Sequence, residues 1–226
     1  MSTAQPPGGY ETTARTAPTR NPDRVSYDRA AVHAVLDEAV VCHVGFVVDG
    51  RPVVLPQLHA RVGDALYLHG STGARALRTA REQGLDVCVT ATLLDGLVLA
   101  RSAFHHSVNY RSVVAHGTAV LVEDAAEKDA ALTALVDAVA PGRSGGTRAP
   151  TRKELAATAV LRLDLTEVSL KARDGGPRDD PDDLDLPHWA GVLPLAVAVG
   201  DPLPAPELPP GTPVPAHVAG WARPQR

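Results

Sequence analysis

The segment Leu66-Tyr67-Leu68-His69-Gly70-Ser71-Thr72-Gly73-Ala74-Arg75-Ala76-Leu77-Arg78 leads a strand through small residues into a helix. Free backbone N–H groups at a helix start, the Ser71 and Thr72 hydroxyls and the Arg75 guanidinium together make a ready site for a phosphate. Strand–glycine–helix joints are also common as plain connections, in which Arg75 and Arg78 are merely solvated. His69 stands just before this loop. An imidazole titrates near neutral pH and can pass a proton, so a cofactor-facing role competes with a strand-end histidine hydrogen-bonded in place.

A second cluster runs from Ala100 to Val114 and gathers Arg101, Ser102, His105, His106, Asn109, Tyr110, Arg111 and Ser112 between two strands. Such density on a connection points to a binding surface held by the sheet. Adjacent histidines point in different directions on a strand, and no carboxylate follows at ligand spacing, so a metal site is disfavoured. Arg101 and Arg111 also read as surface partners of the many carboxylates.

These residues need a scaffold, and the hydrophobic pattern supplies one. Residues 1–23 are polar and rich in Thr, Pro and Gly, which predicts a flexible tail. Asp28 to Ala39 suits a short helix capped by Asp28, with Val32, Val35 and Leu36 on one face. Val40 to Val48, Arg51 to Arg61 and Ala65 to His69 read as an antiparallel meander, with Asp49-Gly50 as its first tight turn. Ser71 to Gln83 turns helical. Asp86 to Leu93, an Asp95-Gly96 turn, Gly96 to Ser102 and Ser112 to Glu123 complete about six strands, which suits a small closed or partly closed barrel. Asp124 to Val139 is an amphipathic helix, Pro141 to Pro150 a loop, and Thr151 to Thr158 a helix with a capping box. Val160 to Leu170 returns to the sheet, and the apolar Trp189 to Val199 is expected to pack back on the barrel. The domain so outlined covers residues 24–200, and 201–226 form an extended Pro-rich arm.

Composition narrows the function classes. The 226 residues carry a formal charge of -4 with no long basic block, which argues against nucleic acid as a standing partner. No stretch approaches the ~18 consecutive apolar residues of a membrane span. The N-terminal stretch has no apolar signal core, so a cytoplasmic protein is expected. Cys42 and Cys88 each sit in an apolar run and read as buried thiols. No P-loop, Rossmann glycine fingerprint, HExxH or paired-cysteine zinc pattern is present.

The order GD-x-LYLHGS, then VCVTATLLDGLVLARSAFHHSVNYRSVVAHG, resembles the pyridoxamine 5′-phosphate oxidase-related family over about Tyr27 to Leu195, and most closely its nitroimidazole-resistance-like branch. The resemblance implies a mainly β protein with short helices, a split β-barrel that binds FMN in a cleft between the two subunits of a homodimer. It implies that the strand carrying Val53, Val54, Leu55 and Pro56 runs beside the isoalloxazine ring. Leu68, His69, Gly70 and Ser71 would contact the flavin and Arg75 would take its phosphate. Arg101, Ser102, His106, Asn109, Tyr110, Arg111 and Ser112 would approach it from the second cluster. His69 would stand on the substrate-facing side as the catalytic residue. The tail LPPGTPVPAHVAGWARPQR, with Trp221 and Arg223 only two residues apart, departs from the pattern by which pyridoxamine phosphate oxidases proper hold their substrate.

The expectation is an FMN-binding redox protein, an oxidoreductase acting on a small-molecule acceptor. Neither a nucleophile–base pair nor a carboxylate dyad argues for hydrolysis. The alternative is a carrier or redox accessory protein. Relatives of this barrel also bind haem or the deazaflavin cofactor, and haem would be ligated by His105 or His106.

Overall fold

The computed structural model describes residues 8–72, 80 and 83–222. Its strands, in chain order, are β1 (Val25–Ser26), β2 (Val41–Val48), β3 (Arg51–Val62), β4 (Ala65–Ser71), β5 (Leu85–Leu99), β6 (Ser107–Leu121), β7 (Thr158–Asp164), β8 (Glu167–Arg173) and β9 (Gly191–Pro194). The described helices are α1 (Arg29–Glu38), α2 (Ala125–Val139), α3 (Arg152–Ala157) and the single turn α4 (Ala216–Ala219). The chain is thus mainly β with short helices, as the turn spacing predicts. The helix expected over Ser71 to Gln83 falls largely outside the described residues.

The chain packs as two units. The first comprises Met1–Ala39, Cys88–His116 and Thr166–Ala196. Here β6 pairs antiparallel with β8 from Tyr110↔Arg173 to His116↔Glu167, and β1 lies on β8 through Val25↔Lys171. α1 starts at Asp28, whose carboxylate accepts the Ala31 N–H at 2.7 Å, and buries Val32, Val35 and Leu36 at helical spacing. In the segment expected as a flexible tail, Tyr10 and Thr16 are buried while most of the other residues from 8 to 23 are exposed. Tyr10 is 2% exposed, its N–H donates to the Tyr27 carbonyl, and its hydroxyl meets His33 Nε2 at 3.0 Å. Two tyrosines carry that packing within an otherwise polar composition.

Three other expectations change. Asp95-Gly96 is not a turn, because β5 runs on through it to Leu99. Gly96 is there for space: a Cβ would stand 3.1 Å from Val192 Cγ1 and 3.2 Å from the Leu193 carbonyl, where β9 pairs with β5. Val160 to Leu170 is two strands, β7 and β8, broken at Leu165-Thr166. Of Trp189 to Val199, only Gly191–Pro194 joins the sheet; Trp189, Val197 and Val199 are exposed.

The second unit comprises Val40–Val87, Gly117–Leu165 and Val197–Arg226. β2 and β3 form a hairpin from Val41↔Leu58 to Val48↔Arg51. Its turn places Asp49 and Gly50 at φ 50° and 72°, the left-handed pair that a two-residue hairpin requires. β4 pairs with β7 along its whole length, from Ala65↔Asp164 to Ser71↔Thr158. With β3 it pairs only over four positions, His59↔Leu68 to Val62↔Ala65. α2 lies over Ala65 and Tyr67 of β4 and Val160 of β7, burying Ala131 against them. Asp124 and the Thr151/Glu154 capping box start α2 and α3 at the expected residues.

Candidate functional site

Beyond Leu68 the strands β3 and β4 part. The next pair in register is Leu58 and His69, and both line a cavity of about 910 Å³ that lies wholly in the second unit. Alternation along β4 fixes the aim of His69: Ala65 and Tyr67 face α2, so His69 does too, while Leu66 and Leu68 are buried on the opposite face. The remaining walls are apolar residues of α2 (Leu132, Leu135, Val136, Val139), Leu155 of α3, and the loop 143–150. The volume falls in the ~300–1,000 Å³ range of cofactor and ligand pockets.

Polar contacts hold these walls. Tyr67 donates to Glu127 Oε1 at 2.8 Å, and Arg162 Nη1 reaches the same oxygen at 3.2 Å, tying α2 to β4 and β7. Burial and the Glu127 carboxylate push the Tyr67 hydroxyl above its ordinary pKa, so it stays a donor. Lys128 Nζ donates to the Leu155 carbonyl at 2.7 Å. Asp137 accepts both the N–H and the hydroxyl of Ser144 at 2.8 Å, which pins the loop; these bonds hold its carboxyl below the usual range. The C-terminal arm adds one strut, since Trp221 Nε1 donates to the Val139 carbonyl at 2.9 Å. At the cavity, Arg148 is committed to Glu154 by two contacts. Arg143 and His69 have no side-chain partner among the described residues.

The other expected residues fall in three places. On β3, Val53 is half-buried while Val54, Leu55 and Pro56 are exposed; Val54 and Leu55 are 62% and 49% exposed. One edge of Arg51–Leu58 is paired with β2, and the edge on which β4 lies farther along has no strand against it among the described residues. Leu68 is buried and Gly70 and Ser71 continue β4 beside β7. Arg75 lies outside the described residues.

The second cluster lies in the first unit, and its arginines are occupied. Arg101 donates from its backbone N–H and from Nη1 to Asp179, both at 2.8 Å. Burial pushes the Asp179 carboxylate up, but these donors outweigh it and hold it below its ordinary value. Arg111 forks between Asp95, at 2.9 and 3.0 Å, and Glu38. Ser112 shares a 2.7 Å hydroxyl bond with Thr92 of β5. His105 Nε2 stands 3.2 Å from Asp180 Oδ2, and His106 Nδ1 is 3.0 Å from the Ser102 carbonyl. Asn109 is buried and accepts from Arg173, which also donates to the Gly175 and Gly176 carbonyls. Tyr110 pairs with Arg173 across β6 and β8. Among the described residues no group of three or more His, Cys, Asp or Glu is placed to hold a metal ion, and no helix is long and apolar enough to cross a membrane.

Sequence reasoning missed the far side of the cavity. Leu132, Leu135 and Val139 read as the apolar face of an amphipathic helix, and Arg143 as part of a loop; only the fold makes them a wall.

A family model described as pyridoxamine 5′-phosphate oxidase matches residues 28–172. Comparison with curated proteins gives no match. Among solved structures, the chain is similar to a flavocytochrome from Azotobacter vinelandii, with 40% identity, 91% of this chain and 95% of that one covered, and a TM-score of 0.85. It is similar also to an FAD and haem binding protein from Mycobacterium smegmatis, with 43% identity, 87% and 96% coverage, and a TM-score of 0.83. A candidate 5-nitroimidazole antibiotic resistance protein from Bacteroides thetaiotaomicron shares the fold at 22% identity, with 65% and 85% coverage and a TM-score of 0.55. On a family match over more than half of its length, and two structures at 40% identity or above along nearly all of it, the chain belongs to the pyridoxamine 5′-phosphate oxidase family.

Proposed function

We propose that the chain is a flavin-binding redox protein that also takes haem, rather than an oxidase of pyridoxamine phosphate. The observation that carries the flavin reading is the outer half of β3. Among the described residues its edge opposite β2 carries no strand and offers backbone N–H and carbonyl groups to a polar ring edge, and the exposed Val54 and Leu55 put an apolar side chain beside that edge on each face of the strand. That combination suits a flat heterocycle with hydrogen-bonding groups along one side. The similarity to a flavocytochrome and to an FAD and haem binding protein supports both groups.

When bound, a flavin supplies two-electron exchange with a donor and onward delivery to an acceptor. The chain's own part is to hold and shield it, and to place an imidazole nearby. We take the flavin to be FMN, acting on a small-molecule acceptor in a homodimer. The absorbance spectrum of freshly purified protein, with mass spectrometry of the released groups, tests the reading. Two flavin bands and a Soret band are expected. Release of FAD keeps the reading and changes the nucleotide. A colourless protein that takes up neither added flavin nor hemin overturns it.

A further inference from the structure

Resting on the reading that the chain takes haem, we propose that the cavity where β3 and β4 part is its site, where His69 would hold the iron and Arg143 would pair with a propionate. The cavity has the donor set this group needs. His69 is the imidazole in its wall, aimed at α2 by strand alternation and free of any side-chain partner among the described residues. A macrocycle needs an apolar slot on both sides, and Leu58, Leu132 and Val136 supply it. Propionates need a cation that is not already neutralised; Arg148 is spent on Glu154, whereas Arg143 is not.

Neither histidine of the second cluster lines this cavity. His105 Nε2 stands 3.2 Å from Asp180 Oδ2, and His106, held through Nδ1 by the Ser102 carbonyl with Nε2 left over, is the rival ligand that the test must separate from His69. Two carboxylates among the described residues line the cavity: Glu154 is engaged by Arg148 and by the start of α3, and Asp129 on α2 is the remaining acidic group in the wall.

The test is a hemin titration of the flavin-loaded protein, followed at the Soret band. His69→Ala is expected to keep its flavin and lose the wild-type Soret position, and free imidazole is expected to restore it. Arg143→Ala is expected to weaken hemin binding by roughly ten- to a hundredfold, the loss of one hydrogen bond to a charged group. His105→Ala and His106→Ala are expected to titrate like wild type. If His69→Ala binds hemin with the wild-type spectrum and affinity, the site assignment is wrong while the haem reading stands. If flavin-loaded wild type binds no hemin, the haem reading falls and the assignment with it. Should His69→Ala not fold, Leu132→Trp fills the cavity from α2 and leaves His69 in place. Hemin uptake unchanged in that variant overturns the proposal.

Discussion

Arg111 donates to two carboxylates at once, Asp95 on its own sheet and Glu38 at the end of α1, and all three side chains are less than one-fifth exposed. The Asp95 and Glu38 hydrogen bonds together raise the guanidinium above its already high pKa, so it is a permanent cation in a shielded site. Arg111→Leu would leave two carboxylates facing each other without a counter-charge. The expected loss is roughly 3 kcal/mol, the lower end of what breaking a buried pair costs. Urea unfolding measures it, and an unshifted midpoint would show that solvent screens the cluster. The partners of this residue show where sequence reading stops. Pairing of Arg101 and Arg111 with carboxylates was legible as a class, but not with which ones. Which carboxylate claims a guanidinium depends on strands that meet only in the folded chain. The position of His69 near the end of β4 was legible because the strand pattern and the following glycine are local facts.

α3 is a six-residue helix, and its start is a reciprocal cap. Thr151 accepts the Glu154 N–H, while the Glu154 carboxylate takes the Thr151 N–H at 2.7 Å and binds Arg148. Arg148 first, then Thr151, lower the Glu154 pKa from 4.5 to about 2. A lowered folded pKa means that the cap's contribution is complete above the unfolded value and fades as pH falls through the folded one. Amide exchange in Arg152–Ala157 is therefore expected to accelerate between about pH 4.5 and pH 2, beyond the intrinsic change in exchange chemistry. Protection that stays constant across that window would show the cap is idle. Element starts such as this were legible because a cap is written in adjacent residues. The continuous β5 was not: Asp-Gly is a good turn signal, and only the approach of β9 reveals that the glycine clears a path for a neighbouring strand.

For the whole molecule, the β2–β3 hairpin leaves Val47, Val54, Leu55 and Val62 about half exposed or more. Apolar side chains grouped on one hairpin favour a covering surface, and a second copy is the occupant we propose. Light scattering on the cofactor-loaded protein is expected to give a dimer at micromolar concentration, and a monomer would defeat the proposal. The C-terminal arm has a different task. Trp221 is tied to the last turn of α2, and a Cβ on Gly146 would stand 3.4 Å from His217, so the arm backs the loop that walls the cavity. Deleting residues 201–226 is expected to speed amide exchange over 139–147 and to hasten hemin loss, with the sheet of the second unit unaffected. Unchanged exchange there would show the arm is a passenger.

The parting of β3 from β4 has one more consequence. Leu55, on the open edge, and Leu58, in the cavity wall, belong to the same strand and lie three residues apart, about 10 Å at ~3.3 Å per residue. A hydrogen-bonded strand hardly stretches, so the spacing between a group on the edge and a group in the cavity is set by the covalent chain itself. Three residues is an odd step along a strand, so Leu55 and Leu58 project from opposite faces of the sheet. β3 is therefore a partition as well as a ruler: it fixes how far apart two bound groups would be and keeps them on separate sides.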